Sequence, residues 1–192
     1  MTRSKQSITL DQHCASLTVA GVPCLRPVKR GHKCAQHLSL DDGLRIAPSR
    51  LQNGGWGLFT TVARKKGERI TPYMGVRVVL SKAAMAQYEP HGYGGEYVLQ
   101  LSQTQFIDAS HPTSCAGRFS NTARWWNIAR KECRGNNAHF TLNRSKKTAW
   151  ITATRDIQAG EEVLTAYGST YRIHPPPSSQ TCSPPIRRRK SI

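Results

Sequence analysis

The strongest constraint on the fold comes from residues 148–168, which have the pattern of two short strands joined by a turn. Residues 148–154 contain a tryptophan, an isoleucine and three threonines, the aromatic and β-branched composition that is typical of strands. Residues 156–160 end in Gly160, and because glycine tolerates a positive φ, they predict a turn. A second apolar run follows at residues 162–167. The chain is therefore expected to form a strand, a turn and a second strand here.

Tyr167 closes the second run and stands directly before Gly168. A tyrosine fixed at a strand end can direct its hydroxyl into a pocket, and an adjacent glycine allows a backbone or a ligand to approach closely. The same pattern also suits an ordinary strand–turn–strand in which Tyr167 packs in the core. The run alone does not separate a functional tyrosine from a structural one.

Three further motifs precede this run, and each places an aromatic residue near glycine or asparagine. They are Gly55-Trp56-Gly57-Leu58-Phe59, Tyr73-Met74-Gly75 and Arg118-Phe119-Ser120-Asn121. Taken in order with the run that ends at Tyr167, they closely resemble the SET domain of protein-lysine methyltransferases. The resemblance extends over residues 44–172. It implies a mainly β (α+β) fold, built from small sheets with a knot-like C-terminal crossing.

The resemblance also implies S-adenosylmethionine as the cofactor. The glycine turn would hold the amino-acid end of this cofactor, and the residues expected to contact the cofactor are Gly55, Trp56, Gly57, Arg118, Phe119, Asn121, Thr122 and Tyr167. Tyr167 would be the central catalytic residue, with Tyr73 as a second, orienting aromatic group. The channel for the substrate lysine would be lined by Tyr73, Phe140 and Thr165.

Departures from the family pattern bear on activity. After Asn121 the sequence continues Thr122-Ala123-Arg124, where the family carries histidine, serine and cysteine. After residue 172 it contains only Cys182, whereas many histone-modifying relatives carry three zinc-binding cysteines there. Thr165 stands where relatives carry the aromatic residue that sets the degree of methylation, so this degree is not predicted. A catalytically weak SET module is therefore an alternative to an active enzyme.

A second site is expected in residues 13–40. The candidate ligands are Cys14, Cys24, Cys34 and His37. Nine residues separate each cysteine from the next, and two residues separate the last cysteine from the histidine. Thiolate and imidazole are the ligands of tetrahedral structural zinc, and because few apolar residues lie here, the metal would supply the folding energy. The segment resembles small Cys₃His zinc motifs. Free thiols in a loosely ordered leader are the alternative, and His13 and His32 are rival ligands.

Basic residues dominate the composition. The chain has 28 lysines and arginines against 11 acidic residues, a formal net charge of +17 and a pI near 10.2. Such an excess predicts an acidic partner, because neutralising phosphates releases counterions without requiring a shaped site. Weak nucleic-acid or chromatin binding is expected. Trp125-Trp126 fits either a stacking platform for bases or a pair packed beneath a loop.

The sequence also predicts the cellular compartment. It has no run of eighteen apolar residues, and residues 1–12 lack the apolar segment of a secretory signal. The six cysteines are then expected to be thiols or metal ligands in a reducing compartment. We expect an intracellular, nuclear protein with no membrane contact.

Four segments are expected along the chain: a disordered leader at 1–12, the zinc motif at 13–40, the SET domain at 44–172, and a disordered basic tail rich in proline and serine at 173–192. Residues 41–53 are predicted to be a connector. Further elements are expected at 58–62 (strand), 69–79 (two strands broken at Gly75), 81–88 (helix), 97–101 (strand) and 105–109 (strand).

Three functions compete at this point. The first is a protein-lysine methyltransferase that acts on histone or another basic protein. The second is a catalytically weak SET module that binds chromatin. The third is a nucleic-acid-binding zinc protein in which the SET-like part is a scaffold.

Overall fold

The computed structural model describes residues 13–51, 54–79, 97–123 and 135–167, and of residues 77–79 the backbone alone. The elements follow in the order α1 (Ala35–Asp42), β1 (Leu44–Pro48), β2 (Trp56–Thr60), β3 (Arg69–Tyr73), β4 (Val76–Val79), β5 (Val98–Gln100), β6 (Gln105–Asp108), a 3₁₀ turn (Ala116–Phe119), β7 (Ala138–Asn143), β8 (Thr148–Ala153) and β9 (Thr165–Ala166). Several predictions lie outside the described residues, namely those for the 1–12 leader, the 81–88 helix, Trp125-Trp126, Cys182 and the 173–192 tail.

The strands form three small sheets. β1 pairs with β2, a second sheet has the order β3-β8-β7-β9, and a third has the order β4-β6-β5. All neighbours are antiparallel except β7 and β9, which run parallel. The predicted mainly β class is confirmed.

The core joins these sheets to one another. Its largest cluster takes residues from α1, β1, β2, β3, β7, β8 and the 3₁₀ turn, including the fully buried Leu44, Leu58 and Ile151. A second cluster, around Tyr73 and Ile107, packs the three-stranded sheet against the four-stranded one. Phe140 contacts both clusters. Burial of these apolar side chains is the main stabilising term, and it fixes the sheets around Phe140.

The C-terminal crossing places the 163–166 segment between two distant parts of the chain. On one side, Thr165 N–H donates to the carbonyl of Asn121 at 2.7 Å. On the other side, Ala138 N–H of β7 donates to the carbonyl of Leu164 at 3.0 Å. The side chain of Asn137 adds two buried bonds to this segment, accepting from Leu164 N–H and donating to the Glu162 carbonyl. The segment therefore lies between residue 121 and residues 137–138, which come from separate earlier parts of the chain.

The prediction of a connector at residues 41–53 is wrong. α1 extends to Asp42, and β1 follows it directly from Leu44 to Pro48. The strand forms because Leu44 is fully buried in the core and the whole segment pairs with β2. Gly43 joins the two elements with a φ of 62°, the left-handed conformation that commonly ends a helix.

Strand boundaries also differ from the predicted ones. β2 begins at Trp56, inside the predicted glycine turn, and ends at Thr60. The predicted strand at 162–167 has only two residues in a ladder, β9, with single bridges at Glu162 and Leu164. The strands predicted at 69–79 and 97–109 are confirmed to within one residue at each end. No helix of the described residues is long and apolar enough to cross a membrane.

Candidate active site and metal-ligand cluster

The glycine turn enters β2 and is bound by the side chain of Asn121. Gly55 has a φ of 58°, and a Cβ built on it would meet no atom of the described residues within 4 Å, so the turn borders open space in that part of the structure. The amide nitrogen of Asn121 donates to the carbonyl of Gly54 at 3.0 Å and to that of Trp56 at 3.1 Å. The structure thus joins two of the sequence motifs through direct hydrogen bonds.

Tyr167 lies at the same place. Its hydroxyl donates to the carbonyl of Ser120 at 2.6 Å, and the side chain is half-buried. Ser120 directly precedes Asn121, so one short segment contacts both the glycine turn and the phenol of Tyr167. The strand before the turn pairs with β3 and β7, and β9 pairs with β7, so the two strands are not direct neighbours in the sheet. The functional role of Tyr167 stays a prediction.

Ser120 and Thr165 form a buried hydroxyl pair beneath this segment. The hydroxyl of Ser120 donates to the carbonyl of Val163 at 2.9 Å, so the Thr165 hydroxyl is the donor in the 2.5 Å contact with Ser120 Oγ. Thr165 has no exposed surface. It therefore supports the Ser120 backbone to which Tyr167 bonds.

Tyr73 and Phe140 extend from one face of the four-stranded sheet. Their rings meet edge to face, with centroids 5.2 Å apart and planes at 83°. The Tyr73 hydroxyl donates to the carbonyl of Tyr97 at 2.8 Å, and the side chain is 6% exposed. β7 pairs in parallel with β9, with Ala138 opposite Thr165 and His139 opposite Ala166, and β9 ends at Ala166. The structure thus brings Tyr73 and Phe140 together, whereas the position of Tyr167 relative to this pair and the channel contact of Thr165 stay predictions.

The remaining cofactor-contact predictions fall on the 3₁₀ turn and just after it. The guanidinium of Arg118 donates to the carbonyls of Ala109 (2.7 Å) and Ser110 (2.9 Å) and lies 3.8 Å from the ring centroid of Tyr97. Phe119 packs in the main core and Thr122 is buried. Arg118 thus anchors the loop before the motif, and the cofactor contacts of these three residues stay predictions.

The four predicted metal ligands are brought together from three positions along the N-terminal segment. The ligand atoms of Cys14, Cys24, Cys34 and His37 all lie within 4.8 Å of one another, and the three cysteines are buried. Nδ1 of His37 is 3.3 Å from Sγ of Cys14 and 3.6 Å from Sγ of Cys34. Zinc bonds of about 2.3 Å to sulfur and about 2.0 Å to nitrogen give tetrahedral edges of roughly 3.5–3.8 Å, so the spacing suits this ion.

The electrostatics of the cluster favour a thiolate. Burial raises the pKa of Cys14, but backbone N–H groups of Cys34 and Ser16 and the side chains of His37 and Cys34 outweigh it, which lowers the pKa to about 6. The backbone of Arg26 lowers the pKa of Cys24, but burial and the neighbouring Cys14 raise it more. A cation would be required for both thiols to be ionised together. By contrast, burial raises the pKa of Cys115, which keeps that thiol protonated.

Two residues of the site were not predicted from the sequence. The guanidinium of Arg30, from the N-terminal segment, lies 3.6 Å from the ring centroid of Trp56. Glu162 is 5% exposed and lies within hydrogen-bonding distance of Asn121. Neither could be found from spacing, because both contacts join segments distant in sequence. The only local signal for Glu162 was that an acidic residue begins the apolar run at residues 162–167.

The small sheets, the C-terminal segment bonded to Asn121 and to β7, and the aromatic pair fit a SET domain. A sequence model of this family, described as the SET domain, matches residues 55–168, and the chain therefore belongs to the SET domain family.

Among characterised proteins, the chain is similar to the N-lysine methyltransferase KMT5A-A of Danio rerio, at 28% identity over 145 residues, which cover 71% of this chain and 39% of that protein. It is also similar to the N-lysine methyltransferase KMT5A of Xenopus tropicalis, at 27% identity over 144 residues, which cover 70% and 40%. The alignment thus spans about two fifths of the length of these relatives.

Proposed function

We propose that this chain is an S-adenosylmethionine-dependent protein-lysine N-methyltransferase. The observation that carries the proposal is the Ser120-Asn121 segment, which accepts the Tyr167 hydroxyl and binds the glycine turn within two consecutive residues. Membership of the SET family and the similarity to two N-lysine methyltransferases support it. The open space before Gly55 fits the close approach of a ligand to the turn.

The reaction needs a neutral amine aligned with the methyl donor. S-adenosylmethionine supplies, when bound, a methyl group on a positively charged sulfur. A free lysine has a pKa of about 10.4, so the channel has to favour its uncharged form by removing water. Tyr73, which is buried, and Phe140, which is half-buried, provide apolar walls for such a channel. Alignment of the two groups then contributes several kcal/mol to the rate.

Each residue of the site has a role under this proposal. Asn121 and the glycine turn hold the amino-acid end of the cofactor. The Tyr167 hydroxyl, held on the Ser120 carbonyl, lies at the point of methyl transfer and orients the acceptor amine. Thr165 keeps Ser120 in place from below. The degraded Asn-His-Ser-Cys motif removes side-chain packing near the cofactor but leaves Asn121, the residue that bonds to the turn.

Methyl transfer from labelled cofactor to a panel of histones tests the proposal, with wild type compared with Tyr167→Phe. We expect incorporation on lysine by the wild type and a loss of about a hundredfold or more in the variant, because general positioning groups contribute at least that much. Tyr97→Phe is the control, since its ring packs against Arg118 outside the reacting groups. No incorporation by wild type, or equal incorporation by Tyr167→Phe, would contradict the proposal.

We further propose that Cys14, Cys24, Cys34 and His37 hold one structural zinc ion. The spacing of the four ligand atoms supports this, as does the backbone N–H that Cys34 donates to Cys14 Sγ at 3.2 Å. Because all four ligands lie within residues 14–37, zinc here would cross-link the 13–40 segment internally. Free thiols are disfavoured, because four buried or half-buried ligand atoms point at one centre.

A second candidate function is chromatin or nucleic-acid binding by a SET module with weak activity. The net charge of +17 is the observation that favours it. Under either function the basic chain would act in the nucleus, on histone or another basic protein held near a polyanion. Binding of the cofactor without methyl transfer would separate this candidate from the enzyme.

A further inference from the structure

Glu162 is a buried carboxylate beneath the glycine turn. It is 5% exposed, and its Oε1 accepts the hydroxyl of Ser49 at 2.6 Å while its Oε2 accepts Arg50 N–H at 2.9 Å. A Cβ built on Gly57 would overlap Oε1 of Glu162 and lie 3.1 Å from Cα of Ser49. The second glycine of the turn is therefore required because this carboxylate packs directly against it.

The charge of Glu162 has no basic partner within the part of the chain that the structure describes. The ion pairs found there use other acidic residues, and the donors to Glu162 are a hydroxyl, a backbone N–H and the amide of Asn121. Isolated buried charges cost several kcal/mol unless they are compensated. The fold retains this charge next to the turn, so a cation at the turn is the group that would compensate it.

Glu162 also fixes the orientation of the Asn121 amide. The amide nitrogen faces Oε1 of Glu162 at 3.4 Å and the carbonyls of Gly54 and Trp56. All three are acceptors only, so the NH₂ group has to point toward them. The amide oxygen of Asn121 is then directed away from these acceptors, as an acceptor for a ligand that donates.

We propose that Glu162 is a positioning residue for the α-ammonium group of the cofactor, acting through Asn121 and through a carboxylate that has no basic partner among the described residues. This inference rests on the proposed function, in which the glycine turn holds the amino-acid end. That end carries the ammonium group, which is both a cation and a three-hydrogen donor. Glu162 thus increases the affinity for ligands that carry an amino group, and it does so without contacting the transferred methyl group.

Calorimetry with two ligands tests this role. One is S-adenosylhomocysteine, which has a neutral thioether. The other is its deaminated analogue, which keeps the carboxylate but has hydrogen in place of the α-amino group. For Glu162→Gln we expect the Kd of S-adenosylhomocysteine to rise roughly tenfold or more, and that of the analogue to change less than about threefold. Glu161→Gln is the matched control, because Glu161 pairs with Arg155 instead, and both affinities should be kept.

Ser49→Ala is the second variant, in case Glu162→Gln does not fold. It releases one anchor of the carboxylate but keeps the charge, so we expect a smaller loss confined to S-adenosylhomocysteine. Equal losses for both ligands would mean that Glu162 only shapes the turn, and unchanged affinities would mean that it has no role. If the wild type bound neither ligand, the proposed function would fail and this inference with it. If the wild type binds S-adenosylhomocysteine tightly, the results for the variants test the role of Glu162 alone.

Discussion

At the scale of single residues, a few buried polar side chains hold the site in place. Asn137 is 1% exposed, and its amide bonds to the Leu164 N–H and the Glu162 carbonyl, both at 2.8 Å. These two bonds fix the segment that leads to Tyr167. Because buried polar groups without partners are costly, side chains of this kind matter more than apolar neighbours of similar size.

We predict that Asn137→Ala destabilises the domain by about 3 kcal/mol, because it removes the partners of two buried backbone groups at about 1–3 kcal/mol each. Urea denaturation followed by circular dichroism measures the free energy of unfolding. Asn143→Ala is the control, since its side chain bonds only to the exposed turn between β7 and β8 and should cost less than about 1 kcal/mol. Similar losses in the two variants would contradict the structural role of Asn137.

At the scale of elements, the sequence predicted the strands better than their partners. Short apolar runs separated by turn residues predicted β3 to β6, because this pattern is local. β1 was missed because Pro48 and the nearby glycines read as a connector, whereas burial of Leu44 and pairing with β2 form the strand.

The convergence of the site could be expected only from the resemblance to a family. The contact of Asn121 with the turn and the parallel pairing of β7 with β9 both join residues distant in sequence, and no local pattern encodes them. The cluster of three cysteines and one histidine was predicted from composition and spacing, because chemically unusual residue types stand out. Arg30 and Glu162 have no such signal, since a single arginine or glutamate is common on any surface.

The N-terminal segment is held mainly by its ligand cluster. Its own apolar cluster consists of Cys14, Cys24, Val28 and Cys34, since Leu38 packs in the main core, and this is too little apolar surface for an independent core. Gly31 N–H donates to the Pro112 carbonyl at 2.9 Å, and Arg30 covers the ring of Trp56. Loss of the ion should therefore unfold this segment and leave the sheets intact.

We predict one zinc ion per chain, and a chelator should abolish the hydrogen-exchange protection of the Cys14, Ala15 and Cys24 amides while the β7–β8 amides stay protected. Cys34→Ser should lose the ion, and Cys115→Ala, a buried thiol outside the cluster, should retain it. Metal analysis combined with hydrogen exchange measures both. Less than about half an equivalent in the wild type would count against the site.

At the scale of the whole molecule, charge is the dominant property. The chain has 28 basic and 11 acidic residues, and a net charge of this size is expected to attract polyanions at long range. Local pairs neutralise only part of it, as between Lys33 and Asp42 at 2.7 Å or Lys65 and Asp156 at 3.1 Å.

We predict that duplex DNA binds with an affinity that falls at least roughly tenfold between about 50 and 200 mM salt, because binding releases counterions. Fluorescence anisotropy measures it. Tyr167→Phe is the control and should bind DNA like the wild type, since it changes no charge. Binding that is absent, or insensitive to salt, would remove the support for the chromatin-binding candidate.

The central claim is that the glycine turn, Asn121 and Tyr167 form one cofactor site. Titration calorimetry of S-adenosylmethionine against wild type and Asn121→Ala tests it most directly. The account predicts one bound equivalent for the wild type and a Kd raised roughly tenfold or more in the variant, which loses the bonds to Gly54 and Trp56. No binding by the wild type, or equal affinity in the variant, would contradict it.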